Sequence, residues 1–234
     1  MSRMFNPTPF DVAHAGHTLR ADTQPGRLGH FFMIHGAGTA SRQGYLIPRR
    51  ALAERGIGTT GFDCIGHGET GGSIADSSLH SRTLQAAAVF DACGAPPAIF
   101  AASMGAYNAI RLTQLRQVDA LVLCVPGVFT PEAYDVPFGP AFSQVIRRER
   151  SWVDTDAWDI LAGFTGHLLV IAAEHDAVIP REIPERLVAA AGKARSRTLQ
   201  VVEGGQHRHV FSRLIEEPPK LEATLDLIGA CLGL

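Results

Sequence analysis

Three residues far apart in the chain have the types and local settings for nucleophilic catalysis. Ser103 lies in Ala101-Ala102-Ser103-Met104-Gly105, directly after the apolar run Pro97-Ala98-Ile99-Phe100. Asp176 follows the apolar run Leu168 to Ala173, and His207 follows Thr198 to Glu203. A hydroxyl is a weak nucleophile at neutral pH. It becomes a useful one when an imidazole takes its proton and a carboxylate orients that imidazole. The order nucleophile, acid, base, each after its own candidate strand, points to that chemistry.

Each residue also has a bland reading. Ser103 in small-residue company could be an ordinary helix N-cap, and Asp176 could be a solvated turn aspartate. Glu174 competes with Asp176 as the acid, and His209 competes with His207 as the base. His207-x-His209 has the look of a metal pair, but no further cluster with ligand spacing accompanies it, so no metal is expected. The turn Gly36-x-Gly38-x-x-Ser41 after a strand loosely matches a dinucleotide fingerprint, with Asp63 placed near a ribose. Two features count against that match: Ser41 replaces the third small residue, and Pro48 interrupts the helix that should follow.

The elements that must position these residues alternate along the chain. Short, mostly continuous apolar runs predict strands at Phe31 to Ile34, Thr59 to Phe62, Ala98 to Ala101, Leu121 to Val125, Leu168 to Ala172 and Leu199 to Val202. Helical patterns occupy Ser81 to Ala92, Met104 to Leu115, Pro184 to Ala191 and Lys220 to Leu232. Residues 8 to 22 read as two strands at a sheet edge. The alternation predicts an α/β domain whose mostly parallel sheet carries helices on both faces. Residues 126 to 166 break the rhythm, with four prolines, no clean helix and seven of the 17 aromatics. We read them as a small lid inserted over the strand ends, dividing a core of 1–125 and 167–234; the alternative is a satellite core that packs only on itself.

Composition narrows the function classes. The 234 residues suit one large domain, and 46% hydrophobic content supports a buried core. A net charge of -2 implies no nucleic-acid partner. The run Arg147-Arg148-Glu149-Arg150 reads as a solvated helix face. The four scattered cysteines form no CxxC pair; Cys124 reads as a buried thiol and no disulfide framework is expected. The chain shows no signal-peptide stretch and no run of about 18 apolar residues. The expectation is a cytoplasmic protein with a small-molecule substrate and no membrane span.

The motifs resemble those of the α/β-hydrolase superfamily, over roughly residues 29 to 234. Ala101-Ala102-Ser103-Met104-Gly105 resembles its Gly-x-Ser-x-Gly nucleophile elbow, with Ala101 in place of a glycine. His35-Gly36-Ala37-Gly38 resembles its oxyanion turn, and the resemblance implies the amides of Ala37 and Met104 as oxyanion donors. Gly61 to Glu69 resembles its Asp-x-x-Gly-His-Gly turn, which gives His67 a structural role only. The implied activity is cofactor-independent serine hydrolysis of a small to medium, largely apolar ester or thioester through Ser103, Asp176 and His207. Carbon–carbon or amide cleavage and a non-catalytic small-ligand receptor remain as alternatives.

Overall fold

The computed structural model describes residues 5–234. Eight strands form one sheet in the order β1-β2-β4-β3-β5-β6-β7-β8. β1 (Thr8–His14) and β2 (His17–Gln24) make an antiparallel edge hairpin, and β2 joins β4 antiparallel. The remaining strands run parallel: β3 (Gly29–Ile34), β4 (Ile57–Phe62), β5 (Ala98–Ala102), β6 (Ala120–Cys124), β7 (His167–Ala173) and β8 (Ser196–Val202).

Both faces of the sheet interior are covered, which is why β3, β5, β6 and β7 read as mostly apolar runs. On β3, Phe32 and Ile34 face the core under α2 (Leu79–Ala92) and α3 (Met104–Leu112). Phe31 and Met33 face the opposite core under α1 (Leu46–Glu54) and α8 (Pro218–Ala230). The two-residue strand period sorts alternate side chains between these layers. Cys124 is buried on the second face, as its apolar run implied.

Three expectations are corrected. Pro48 does not interrupt a helix: it sits in the first turn of α1, where a missing N–H costs no intrahelical bond. The 126–166 segment contains two short helices, α4 (Pro140–Ile146) and α5 (Ala157–Gly163). The basic run 147–150 lies at and beyond the end of α4, where Arg148 pairs with Glu132 and Arg150 with Glu182. α6 (Glu182–Ala190) falls where a helix was expected, whereas the short α7 (Val210–Ile215) had no sequence signal.

The aromatics of 126–166 serve burial. Phe138, Phe142 and Phe164 are buried in the core that α2 and α3 share, and Phe129, Tyr134, Trp152 and Trp158 pack against it. They extend the main core rather than forming a separate one.

Candidate active site

The loops at the carboxyl ends of β3, β5, β7 and β8 meet at one mouth of the sheet, where open α/β sheets place their ligands. The β5–α3 turn is the sharpest of them. Ser103 has φ 51° and ψ −124°, a strained conformation for a residue with a Cβ, costing on the order of 1–3 kcal/mol. Three backbone bonds of 3.0 Å hold it: Ser103 N–H to the Cys124 carbonyl, and the Gly127 and Ala106 N–H groups to the Ser103 carbonyl. The glycine at 105 is sterically required, because a Cβ there would lie 2.4 Å from the Ile34 carbonyl oxygen and 2.5 Å from that of His35. Ala101, one methyl larger than the family glycine, is fully buried in the core. The next strand also ends in strain: Val125 has φ 42°, unusual for a β-branched residue.

The structure brings the three predicted side chains together. His207 Nδ1 lies 2.9 Å from Asp176 Oδ2, and His207 Nε2 lies 3.1 Å from Ser103 Oγ. A carboxylate only accepts, so Nδ1 carries the proton and Nε2 is free to accept from the serine hydroxyl. Asp176 is itself fixed, since its Oδ1 accepts from the Val178 and Ile179 N–H groups at 2.8 Å each. The Asp176 and His207 side chains are 8% and 14% exposed, which shields their contact from water while leaving the imidazole edge open.

The competitors go elsewhere. Glu174 Oε2 accepts from the Gly204 N–H at 2.8 Å, stitching the β7 loop to the loop that carries His207. His209 is exposed and stands at the start of α7, where its carbonyl accepts from Arg213 N–H and Ser212 Oγ–H. Asp63 is fully buried and accepts from the Arg42 and Glu69 backbone N–H groups at 2.7 and 2.9 Å, besides pairing with the Arg42 guanidinium. Fully buried, it is out of reach of a ribose. Among the described residues no group of three or more His, Cys, Asp or Glu could hold a metal ion. Nor is any helix among them long and apolar enough to cross a membrane.

The turn after β3 lies against the serine. A Cβ on Gly36 would stand 3.1 Å from Ser103 Cβ, so the absent side chain permits the approach. Met104 is the first residue of α3, and its N–H therefore has no intrahelical acceptor. His35 is buried with both ring nitrogens used: Nδ1 donates to the Gly36 carbonyl at 2.7 Å and Nε2 accepts from the Cys64 N–H at 3.0 Å. Burial first, then the nearby Arg82 charge and His67, hold His35 well below the usual histidine range. It is a neutral strut between two loops.

Ser103, His207 and Ala37 line one cleft of about 380 Å³, together with Thr39, Ser41, Tyr45, Val125, Val178 and Arg208. None of the seven aromatics of 126–166 lines it. The aromatic richness that suggested a wall over the site is therefore a packing feature. Arg82, which the sequence reading overlooked, is buried against the β3 turn and bonds the His35 and Gly36 carbonyls.

Comparisons place this architecture. The esterase EaEST from Exiguobacterium antarcticum superposes with a TM-score of 0.73 at 18% identity, covering 95% of this chain and 100% of that one. Est1E from Butyrivibrio proteoclasticus, solved with bound ferulic acid, gives 0.69 at 19% identity, covering 94% and 99%. A thioesterase domain from the curacin biosynthetic pathway gives 0.68 at 12%, covering 93% and 99%. At these identities the likeness is one of fold. No curated protein matches the chain. Residues 27–156, more than half of the chain, match the hydrolase family described as "Serine aminopeptidase, S33", and with the sheet order and elbow described above the chain belongs to that family of α/β-hydrolases.

Proposed function

We propose that the protein is a serine hydrolase that cleaves a carboxylic ester or thioester through an acyl-enzyme. The observation that carries this reading is the unbroken hydrogen-bond series from Asp176 through His207 to Ser103. In the first step Ser103 Oγ attacks the substrate carbonyl while its proton passes to His207 Nε2. The carbonyl electrons move onto oxygen, which the Ala37 and Met104 amides receive. The tetrahedral intermediate collapses as His207 protonates the departing alkoxide or thiolate. Water then gives a proton to His207 and adds to the acyl group, freeing the acid and restoring Ser103. Asp176 holds the imidazole tautomer and stabilises its cation.

Cleft size supports a small to medium substrate. The aromatics behind the expectation of an apolar acyl group pack into the core and leave the cleft wall to other residues. We read 126–166 as a cap inserted into a core of 1–125 and 167–234, anchored on the core under α2 and α3 by those aromatics. An aminopeptidase would need an acid to receive the substrate ammonium. The cleft lining holds no carboxylate and does hold Arg208, which favours ester over N-terminal amide substrates.

The test is hydrolysis of a short-chain p-nitrophenyl ester beside thioester and aminoacyl-amide substrates. Wild type should turn over the ester, and Ser103→Ala should lose on the order of 10⁴-fold or more in kcat. Equal rates in the two proteins would refute the reading.

A further inference from the structure

The triad leaves one buried charge unexplained. Arg82 projects from α2 and is 0% exposed. Its guanidinium meets no acid among the described residues. Nη2 donates to the His35 carbonyl at 2.7 Å and to the Gly36 carbonyl at 3.1 Å, Nη1 lies 3.3 Å from Met104 Sδ, and Nε has no partner. An arginine stays charged in proteins, and a buried charge without a counter-ion is costly. The nearest titratable groups do not neutralise it. His35 and His67 are basic groups, held in their uncharged forms by burial and then by the Arg82 charge itself. The Cys64 thiol beside it is pushed up by burial and stays protonated.

What lies against the guanidinium is the oxyanion turn. The Gly36 carbonyl belongs to the same planar peptide unit as the Ala37 N–H. In a trans peptide these two groups point in opposite directions, and the structure contains no cis bond among its described residues. A donor that holds the Gly36 oxygen from inside therefore turns the Ala37 N–H outward, towards the cleft that Ala37 lines. His35 Nδ1 grips the same oxygen at 2.7 Å. The other guanidinium nitrogen rests on the side chain of Met104, the second amide donor. Hydrogen bonding to a carbonyl also polarises its peptide and strengthens the N–H on the far side.

We propose that Arg82 is a positioning residue of the oxyanion hole, left without a counter-ion so that the oxyanion of the transition state becomes its partner. The proposal rests on reading Ser103 as the nucleophile and Ala37 and Met104 as the oxyanion donors. Little negative charge sits there in the resting enzyme, and a full one forms during the reaction. A fixed, fully buried cation one peptide unit away favours the second state over the first. A purely structural arginine would favour neither.

Arg82→Met keeps the length and packing and removes the charge and the fork; Arg82→Lys keeps the charge and loses the fork. Both are assayed for kcat and KM on a neutral p-nitrophenyl ester. Both are also titrated with a trifluoromethyl ketone, whose hemiketal oxygen mimics the oxyanion. Arg82→Met should lower kcat about 100-fold, the scale of a lost oxyanion donor, with KM within about 3-fold, and should weaken the ketone by a similar factor. Arg82→Lys should recover about 10-fold of each loss through charge alone. A Met variant with kcat within about 3-fold of wild type overturns the proposal, as does a fall in kcat without a fall in ketone affinity, or a Lys variant no better than Met. If Arg82→Met does not fold, Arg82→Lys decides: kcat down about 10-fold at constant KM supports the proposal, and wild-type kcat refutes it. An active, Ser103-dependent wild type with indifferent Arg82 variants defeats this inference alone. An inert wild type that resists serine-directed labelling defeats the function and this inference with it.

Discussion

Two groups of buried arginines serve the loops around the ends of β3 and β4, and the fold treats them in opposite ways. Arg42 and Arg49 are 4% and 1% exposed, and both are matched by acids. Arg42 reaches Asp22, Asp63 and Glu69, while Arg49 reaches Asp22 and donates to Thr59 Oγ1 at 3.0 Å. Arg82, as deeply buried, meets carbonyls and a thioether. The matched group ties β2, β4 and the turn before α1 into one clamp, with its charge cancelled where it stands. The unmatched arginine lies under the loop that faces Ser103. Cancelled charge fixes a shape; uncancelled charge is available to an anion that forms only during reaction. The distinction needs no difference in residue type or depth, only in the partners.

The largest effect expected in the matched group comes from Asp22→Ala, which, among the described residues, strips Arg49 of its only carboxylate and Arg42 of one of three. Breaking a buried pair leaves an uncompensated charge, so urea unfolding should show a loss of about 3–5 kcal/mol. The folded fraction should keep the wild-type kcat, because Asp22 lies on β2, away from the cleft. A loss under about 1 kcal/mol would mean that the clamp is as weak as a surface pair, and the contrast between the two groups would collapse.

A smaller effect separates the groups through pH. His35 and His67 are neutral in the fold, depressed by burial and by Arg82. In the unfolded chain they regain ordinary values near 6.5. Below that pH the unfolded state binds protons that the folded state refuses, so stability falls as the pH drops. The slope is up to about 1.4 kcal/mol per pH unit for each histidine until its folded value is reached. Urea titrations from pH 7.5 to 5 should show this slope in wild type. Arg82→Met raises the folded values while burial, the larger cause, keeps them below 6.5, so its stability should level off at a higher pH than that of wild type as the pH drops. Levelling at the same pH in both proteins would mean that the Arg82 charge is not felt by its neighbours.

Much of this was legible in the sequence because the relevant signals are local. Most of the parallel strands are short apolar runs, and Ser103, Asp176 and His207 each follow a strand of the same direction, which brings them to the same edge. The elbow was legible through Gly105, where backbone crowding forbids a side chain. Helix α1 was obscured by Pro48, since a proline in a first turn looks on paper like a break. Helix α7 is six residues long, too short for any period to show. The aromatics of 126–166 signalled burial and not the direction they face, which depends on tertiary packing. Arg82 left a trace that was not used. With Leu79, Thr83, Ala86 and Phe90 it shares the 3- and 4-residue spacing of the buried face of α2, and a charge on such a stripe marks either a buried pair or a site.

The central claim is that Ser103 is an activated nucleophile, and labelling with a fluorophosphonate tests it most directly. Intact-mass analysis of wild type after brief exposure should show a single phosphonyl adduct, mapped to the peptide that contains Ser103, with none on Ser103→Ala and little on His207→Ala. Wild type that stays unlabelled, or an adduct that survives in Ser103→Ala, would contradict the account.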